Sequence, residues 1–112
     1  MNKNPDISVV MSVYNGQEWL DKSIESILNQ TLKEFEFIIV NDGSTDKSME
    51  IIDFYAQKNS SIKIIDKKNS GLTDSLNIGI SKATGKWIAR IDCDDISHYS
   101  RLEKQYDLAR NT

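Results

Sequence analysis

Three carboxylates within four residues form the strongest chemical signal in the sequence. Asp92, Asp94 and Asp95 flank Cys93 directly after an apolar run that ends at Ile91. Two like charges about 4 Å apart repel each other by about 1 kcal/mol in water, and by more near a protein surface. A divalent cation removes this repulsion, and both Mg2+ and Mn2+ prefer oxygen ligands. The cluster therefore favours a Mn2+ or Mg2+ site, with an acidic solvated turn as the alternative.

A second polar segment, residues 41–46, directly follows the apolar run that ends at Val40. Asp42 stands where the polar edge of a ligand would meet a parallel sheet, and a carboxylate there can accept a hydrogen bond from a base or a ribose. The structural alternative is that Gly43 permits a tight turn while Ser44 or Asp46 caps the next helix. Taken alone, the segment favours that structural interpretation.

Two further loops could approach a ligand. Residues 12–16 could offer backbone N–H groups and the aromatic face of Tyr14 to a base, and residues 69–71 form a flexible, glycine-containing loop. For each loop the simpler interpretation is a turn between a strand and a helix. The single histidine, His98, and the single cysteine, Cys93, are not arranged for nucleophilic catalysis.

Four similar units must position these loops. Apolar, mostly β-branched runs begin at Ile7, Phe35, Ile62 and Trp87, at spacings of 28, 27 and 25 residues. Such runs are typical of parallel strands buried on both faces, and the third, which is short and carries Lys63, is expected nearer an edge. Each run is followed by a polar loop and a helical pattern. The alternation predicts an α/β fold: a Rossmann-like parallel sheet with alternating βα units, whose ligands bind at the carboxyl ends of the strands.

Apolar stripes with the helical period follow each polar loop. The capping-box spacing of Ser100 and Glu103 predicts that the last helix starts at Arg101. The stripes consist of Leu20, Ile24, Ile27 and Leu28, then Met49, Ile52, Tyr55 and Ala56, then Leu72, Leu76, Ile80 and Ala83 with Gly79, and finally Leu102, Tyr106 and Ala109.

Composition limits the function classes. The 112 residues hold 14 basic and 17 acidic side chains, a net charge of -3, which gives no basic footprint for nucleic acid. The chain is long enough for one core, so residues 1–112 are expected to form a single domain. No apolar run approaches the length of a membrane span, and a lone Cys93 suits a reducing cytoplasm.

Seven segments, in this order, resemble family 2 glycosyltransferases with a GT-A fold, of the bacterial polysaccharide type. The resemblance runs from Ile7 to about Gln105, and the tail from Ile96 to Gln105 also matches. Leu76 departs from the family, because many members have an arginine there that could contact a diphosphate. The seven segments are residues 9–15, 26–31, 37–46, 69–72, 76–80, 83–85 and 91–95.

The resemblance implies a role for each polar loop. The loop after the first strand lines a nucleotide pocket, Asp42 meets the base, and Asp92-Cys93-Asp94 matches the family's DXD motif. Asp94 would hold a cation that bridges the donor's diphosphate, Asp92 would lie near the ribose or the metal, and Asp95 could orient the metal shell. The predicted substrate-binding residues are Ser12, Val13, Tyr14, Asn15, Asp42, Asn69, Gly71 and Asp92, and the predicted metal ligands are Asp94, Asp92 and Asp95.

The implied activity is transfer of a sugar, with inversion, from a nucleotide-diphosphate sugar to a glycan or lipid-linked acceptor. A UDP-sugar is the expected donor. We expect the chain to be the N-terminal, donor-binding part of a longer domain, with the general base beyond Thr112, and therefore to be inactive alone. We further expect a cytoplasmic location, peripheral at the inner face of the membrane in the full-length protein, and self-association through an exposed strand edge. The alternative is a non-catalytic nucleotide-binding or regulatory α/β module.

Overall fold

The computed structural model describes residues 6–110, with side chains up to Ala109, so both ends of the predicted domain lie outside the described residues. Within this range strands and helices alternate, and the four strands form one parallel sheet in the order β3-β2-β1-β4. The predicted fold class is confirmed. The elements are β1 (Ile7–Val13), α1 (Leu20–Leu28), β2 (Phe35–Asp42), α2 (Ser48–Lys58), β3 (Ile62–Lys67), α3 (Leu72–Lys82), β4 (Trp87–Asp92) and α4 (Arg101–Arg110).

The two central strands, β1 and β2, are buried along their whole length. β2 continues two residues beyond the predicted end at Val40, because Asn41 and Asp42 keep the parallel pairing with Asp66 and Lys67 of β3. The polar segment 41–46 thus begins inside the sheet, and the Asp42 side chain is only 2% exposed.

Two apolar clusters cover the two faces of the sheet. The larger one joins side chains such as Met11 and Phe37 to helices α1, α2 and α4. The smaller one joins Val10, Ile38 and Val40 to Leu76 of α3. Helix α3 approaches the sheet closely because Gly79 has no side chain: a Cβ there would lie 2.6 Å from Val10 Cγ1.

Strands β3 and β4 form the edges of the sheet. The predicted edge position of the third strand is therefore confirmed. On β4, Ile88 and Arg90 remain exposed. Self-association through such an edge stays a prediction. None of the helices in residues 6–110 has the length and apolar character needed to cross a bilayer.

Helix α4 begins at Arg101, as predicted, but the two side chains of the expected capping box bond elsewhere. The Ser100 hydroxyl pairs with His98 Nδ1 at 2.9 Å, and the Glu103 carboxylate accepts a hydrogen bond from Thr31 Oγ1 at 2.9 Å. The predicted start of the helix is therefore confirmed, but these two side chains do not form the expected capping box.

The buried carboxylate of Glu36 links the strands at the amino-terminal end of the sheet. Glu36 of β2 is 4% exposed and accepts hydrogen bonds from Ser8 Oγ (2.5 Å), Lys63 Nζ (2.6 Å) and the backbone N–H of Thr84 (2.6 Å). Burial alone would raise the pKa of Glu36, but the bonds from Lys63, Ser8 and Thr84 outweigh it and lower the pKa from 4.5 to about 2. Glu36 thereby ties three strands to the turn between α3 and β4.

Replacing Glu36 by glutamine places an amide group, itself a donor, against the donating Lys63 ammonium. We expect Glu36→Gln to lower the free energy of unfolding at pH 7 by about 1.5–3 kcal/mol, the usual contribution of a hydrogen bond to a charged group. The folded pKa of about 2 lies below the ordinary 4.5, so the wild type loses this stability as the pH falls from 4.5 toward 2, and the variant does not. Urea unfolding at pH 7 and pH 3 measures both effects.

The exposed neighbour Glu34 supplies the control, since Glu34→Gln removes the same charge without a buried network. A difference between wild type and Glu36→Gln that is the same at pH 7 and pH 3 would contradict the assignment.

Candidate functional site

A cleft of about 460 Å3 opens at the carboxyl ends of the strands. The register of the sheet assembles it: Ser12 near the end of β1 pairs with Val40 on one side and with Asp92 on the other. The loops after β1, β3 and β4 therefore reach the cleft, together with Asp42 at the end of β2. It is lined by Ser12, Tyr14, Asn15, Gly16, Trp19, Asp42, Asn69, Gly71, Leu72, Asp92, Cys93 and Asp94.

The structure brings together every predicted site residue except Val13 and Asp95 in the lining of this cleft. Val13 is completely buried in the larger core cluster, because successive residues of a strand point to opposite faces and Ser12 takes the other one. Asp95 lies in the turn after β4, where its backbone N–H donates to Asp92 O at 3.0 Å.

That turn gathers the three carboxylates. Asp92, Asp94 and Asp95 each bring one oxygen to within 4.8 Å of the other two. Among the side chains of residues 6–109 no lysine or arginine forms a salt bridge with them, since the described ion pairs involve Glu36, Asp42 and Asp74. Oxygen donors of this kind fit Mg2+ or Mn2+. The cluster can therefore hold such an ion.

Cys93, between the carboxylates, packs against the β1–α1 loop. A Cβ on Gly16 would lie 3.0 Å from Cys93 Sγ, so the sulfur fills the space that glycine leaves open. Burial, and then the negative charges of Asp94 and Asp92, raise the pKa of the thiol, against a smaller lowering by the Tyr14 N–H. Cys93 therefore stays a neutral packing group beside Gly16 rather than a nucleophile.

Asp42 anchors the loop that follows β3. Its Oδ1 accepts hydrogen bonds from Lys67 Nζ (2.9 Å) and the backbone N–H of Ser70 (2.9 Å). Its Oδ2 accepts from the backbone N–H of Gly71 at 3.1 Å and, more weakly, from Asn69 Nδ2 at 3.4 Å. Burial would raise the pKa of Asp42, but Lys67 and these backbone groups outweigh it and lower the pKa. Asp42 is thus a charged acceptor whose Oδ2 faces the weaker donors.

The structural interpretation of segment 41–46 also holds for its other members. Gly43 has φ of +73° and turns the chain, and Asp46 Oδ1 accepts the backbone N–H of Ser48 at 2.9 Å, at the start of α2. The two alternatives for this segment are therefore compatible, since the turn and the cap leave Asp42 free to line the cleft.

Sequence reasoning missed two apolar residues of the lining, Trp19 and Leu72. Leu72 was assigned to the buried stripe of α3, yet it is 54% exposed, because α3 begins at the cleft and Leu72 faces it. Trp19 is 50% exposed and lies one residue before the buried stripe of α1. One sequence feature indicates that Trp19 faces a cleft rather than the core: it is a tryptophan at the start of a helix but outside the helix's apolar stripe.

Known proteins match both the sequence and the fold. The family model described as Glycosyl transferase family 2 matches residues 8–112. An uncharacterized glycosyltransferase of Methanocaldococcus jannaschii is 47% identical over 96% of this chain, which spans 38% of that relative. A cholesterol galactosyltransferase of Borreliella burgdorferi is 42% identical over 93% of this chain, which spans 29% of it. The chain thus spans well under half the length of these curated relatives.

Among solved structures, S. aureus TarS 1-349 in complex with UDP-GlcNAc superposes with a TM-score of 0.87 at 25% identity. The match covers 95% of this chain and 31% of the TarS chain. The same TarS fragment in complex with UDP gives a TM-score of 0.86. The parallel sheet and helices described above therefore have the GT-A fold.

Replacing Asp42 by asparagine tests its role as the loop anchor. We expect Asp42→Asn to lower the free energy of unfolding by about 1.5–3 kcal/mol, because buried bonds to a charged acceptor are weakened. We also expect faster amide hydrogen exchange at Ser70 and Gly71, whose N–H groups lose that acceptor. Exchange measured by NMR and urea unfolding check both effects.

The exposed Asp53 of α2 supplies a control of the same chemistry, since Asp53→Asn should leave both quantities unchanged. Unaltered exchange at Ser70 and Gly71 in Asp42→Asn would remove the anchoring role.

Proposed function

The chain belongs to glycosyltransferase family 2, and from that premise we propose that its cleft binds the nucleotide part of a nucleotide-diphosphate sugar. The sugar would be transferred to an acceptor, so the described residues would supply the donor side of a glycosyltransferase. The observation that carries this proposal is the convergence of an acidic cluster, an anchored carboxylate and half-exposed aromatic rings on one cleft.

A uridine nucleotide is the donor we propose, because TarS, which shares the fold, is described in complex with UDP and with UDP-GlcNAc. In this proposal the 52% exposed ring of Tyr14 offers an apolar surface to the base. Asp42 Oδ2, which has weaker donors than Oδ1, accepts from a base N–H. A carboxylate has about four acceptor positions, so such a bond can be added to those within the protein.

The loop after β3 would close another side of the nucleotide site. Asn69 and Gly71 line the cleft and are fixed by Asp42, so they would contact the donor through groups that are already held in place. Ser12 lines the floor between β2 and β4. Leu76, where many family members have arginine, packs in the smaller core cluster and adds no positive charge to the cleft.

We further propose that Asp94 and Asp92 hold a divalent cation, with Asp95 completing or orienting the shell, as a DXD motif would. When bound, such a cation supplies positive charge that offsets the charge developing on a leaving nucleoside diphosphate. The support for this is the set of three convergent oxygens without a lysine or arginine partner among the described residues. The donor set does not distinguish Mn2+ from Mg2+.

The proposal also includes the acceptor side of the reaction. A glycan or lipid-linked acceptor, transfer with inversion and a general base elsewhere in the domain remain part of the proposal, as does the role of residues 1–112 as a donor-binding part. The Borreliella burgdorferi relative is named for galactosyl transfer to cholesterol, which is compatible with a lipidic acceptor. The cytoplasmic location favoured by the single Cys93 also remains a proposal.

Calorimetric titration of residues 1–112 with UDP tests the function. We expect binding that is tighter with Mn2+ than with EDTA, because the diphosphate and the acidic cluster are both negative and repel each other without a cation. Adenosine diphosphate serves as the matched ligand with the same diphosphate and a different base. A folded chain that binds neither nucleotide would contradict the proposal and favour a regulatory α/β module.

Removing one charge from the acidic cluster tests the metal site. Asp94→Asn keeps the size of the side chain, and we expect it to weaken Mn2+-dependent UDP binding by about 10-fold or more, since a contact to a charged group contributes roughly 1.5–3 kcal/mol. Folding should hardly change, or improve, because a like-charge repulsion is removed. Asp53→Asn is again the control. Equal UDP affinity of wild type and Asp94→Asn in Mn2+ would remove Asp94 from the metal site.

A further inference from the structure

A reciprocal set of hydrogen bonds joins the loop after β1 to the loop after β2. We call this set the clasp; it is formed by residues 15–17 on one side and residues 44–48 on the other. We propose that Asn15 is a positioning residue: through the clasp it holds two walls of the cleft in the arrangement that nucleotide binding needs. This inference rests on the proposed function and deepens it.

Asn15 has an unusual backbone conformation. Its φ is +51°, and it is the only non-glycine residue with positive φ in the described part of the chain. L-residues avoid this left-handed region, and asparagine tolerates it better than most. The conformation therefore has a cost that the surrounding contacts must offset.

Those contacts come from the Asn15 carboxamide. Its Oδ1 accepts the backbone N–H of Thr45 at 2.8 Å and that of Asp46 at 3.3 Å, and the Thr45 hydroxyl lies 3.4 Å away. Both N–H groups lie in the segment between the end of β2 and the start of α2, outside the hydrogen bonding of either element. The acceptor that these donors need is thus supplied by the other loop.

Four further bonds complete the clasp. The backbone N–H groups of Asn15 and Gly16 donate to Ser44 Oγ (3.0 Å) and Ser48 Oγ (2.9 Å). Gln17 both donates, from its backbone N–H to Asp46 Oδ2 at 3.2 Å, and accepts, at Oε1, from the Lys47 N–H at 2.9 Å. Each segment both donates hydrogen bonds to the other and accepts them from it. A movement of one segment relative to the other would therefore break several of these bonds.

The clasp lies directly beside the cleft. Tyr14, Asn15, Gly16 and Trp19 line one wall, and Asp42, the last residue of β2 and two residues before the clasp, lines another. The Tyr14 and Trp19 side chains are 52% and 50% exposed, so burial does not place them. The backbone that carries Tyr14 is held by the bonds of the next residue, Asn15. Holding these groups in advance reduces the ordering that binding would otherwise require.

Three variants separate positioning from simple stabilisation. Asn15→Gly accepts positive φ freely but removes the carboxamide oxygen, so it removes the bonds to Thr45 and Asp46 without backbone strain and leaves the other four bonds of the clasp in place. Asn15→Asp keeps an oxygen acceptor at the same place and should restore the clasp. Asn59→Gly is the matched control, because Asn59 Nδ2 donates to Tyr55 O at 2.9 Å at the other end of α2, away from the cleft.

The experiment is UDP titration in Mn2+ with amide hydrogen exchange, at a temperature where every variant is folded. Salt near 0.5 M, where the Debye length is only a few ångströms, screens the charge that Asn15→Asp adds. We expect Asn15→Gly to weaken UDP binding by about 10-fold and to speed exchange at Thr45 and Asp46. Asn15→Asp should restore slow exchange at Thr45 and Asp46, and Asn59→Gly should resemble the wild type in both readouts.

Each outcome decides a different point. Wild-type affinity in Asn15→Gly would overturn the inference and leave the proposed function standing, and so would an equal loss in Asn59→Gly. Failure of Asn15→Asp to restore slow exchange at Thr45 and Asp46 would also overturn it. If the wild type does not bind UDP, the proposed function fails. In that case, unchanged exchange at Thr45 and Asp46 in Asn15→Gly would show that Asn15 does not hold the clasp.

Discussion

The parallel pairing of β1 with both β2 and β4 is the constraint on which the rest of the structure depends. In a parallel sheet all strands end at the same edge, so the polar loops that follow them must meet there. The register fixes which residues meet at that edge, since Ser12 lies between Val40 and Asp92. A shift of one residue would turn the buried and polar side chains of β1 to the opposite faces, and the cleft would lose its floor.

Two carboxylates on β2 hold helix α3 at both of its ends. Glu36 and Asp42 are six residues apart and therefore point to the same face of the strand, the face that α3 covers. Asp42 binds the backbone just before α3, at Ser70 and Gly71, and Glu36 binds Thr84 just after it. In both, hydrogen bonds outweigh burial and keep the group charged. The apolar cluster beneath α3 is small, so these polar anchors fix the helix that carries one wall of the cleft.

The carboxylates of β2 thus differ from those at the end of β4. Glu36 and Asp42 have their charge balanced by lysines and backbone donors, whereas Asp92 and Asp94 are exposed and lack such partners among the described residues. The first kind makes the fold rigid, and the second kind leaves negative charge available to a ligand. In the proposed function both kinds would contribute, because the rigid wall would order the base while the uncompensated carboxylates would recruit a cation for the diphosphate.

The sequence by itself determined the α/β architecture, the starts of all four strands and the start of α4, because buried parallel strands and amphipathic helices have local periodic patterns. The resemblance to family 2 glycosyltransferases, rather than periodicity, supplied most of the residues that line the cleft. It also identified the Asp92–Asp95 cluster, since adjacent charges need no tertiary information to be recognised. Only the tertiary structure decided that Val13 points away from the cleft, that Leu72 and Trp19 face it, and that Asn15 bonds to Thr45 and Asp46. The Asn15 bonds join residues about 30 positions apart, and no local pattern records which distant donor a side chain will meet. Which residues of a strand or helix face the cleft likewise depends on how that element packs against the rest of the fold.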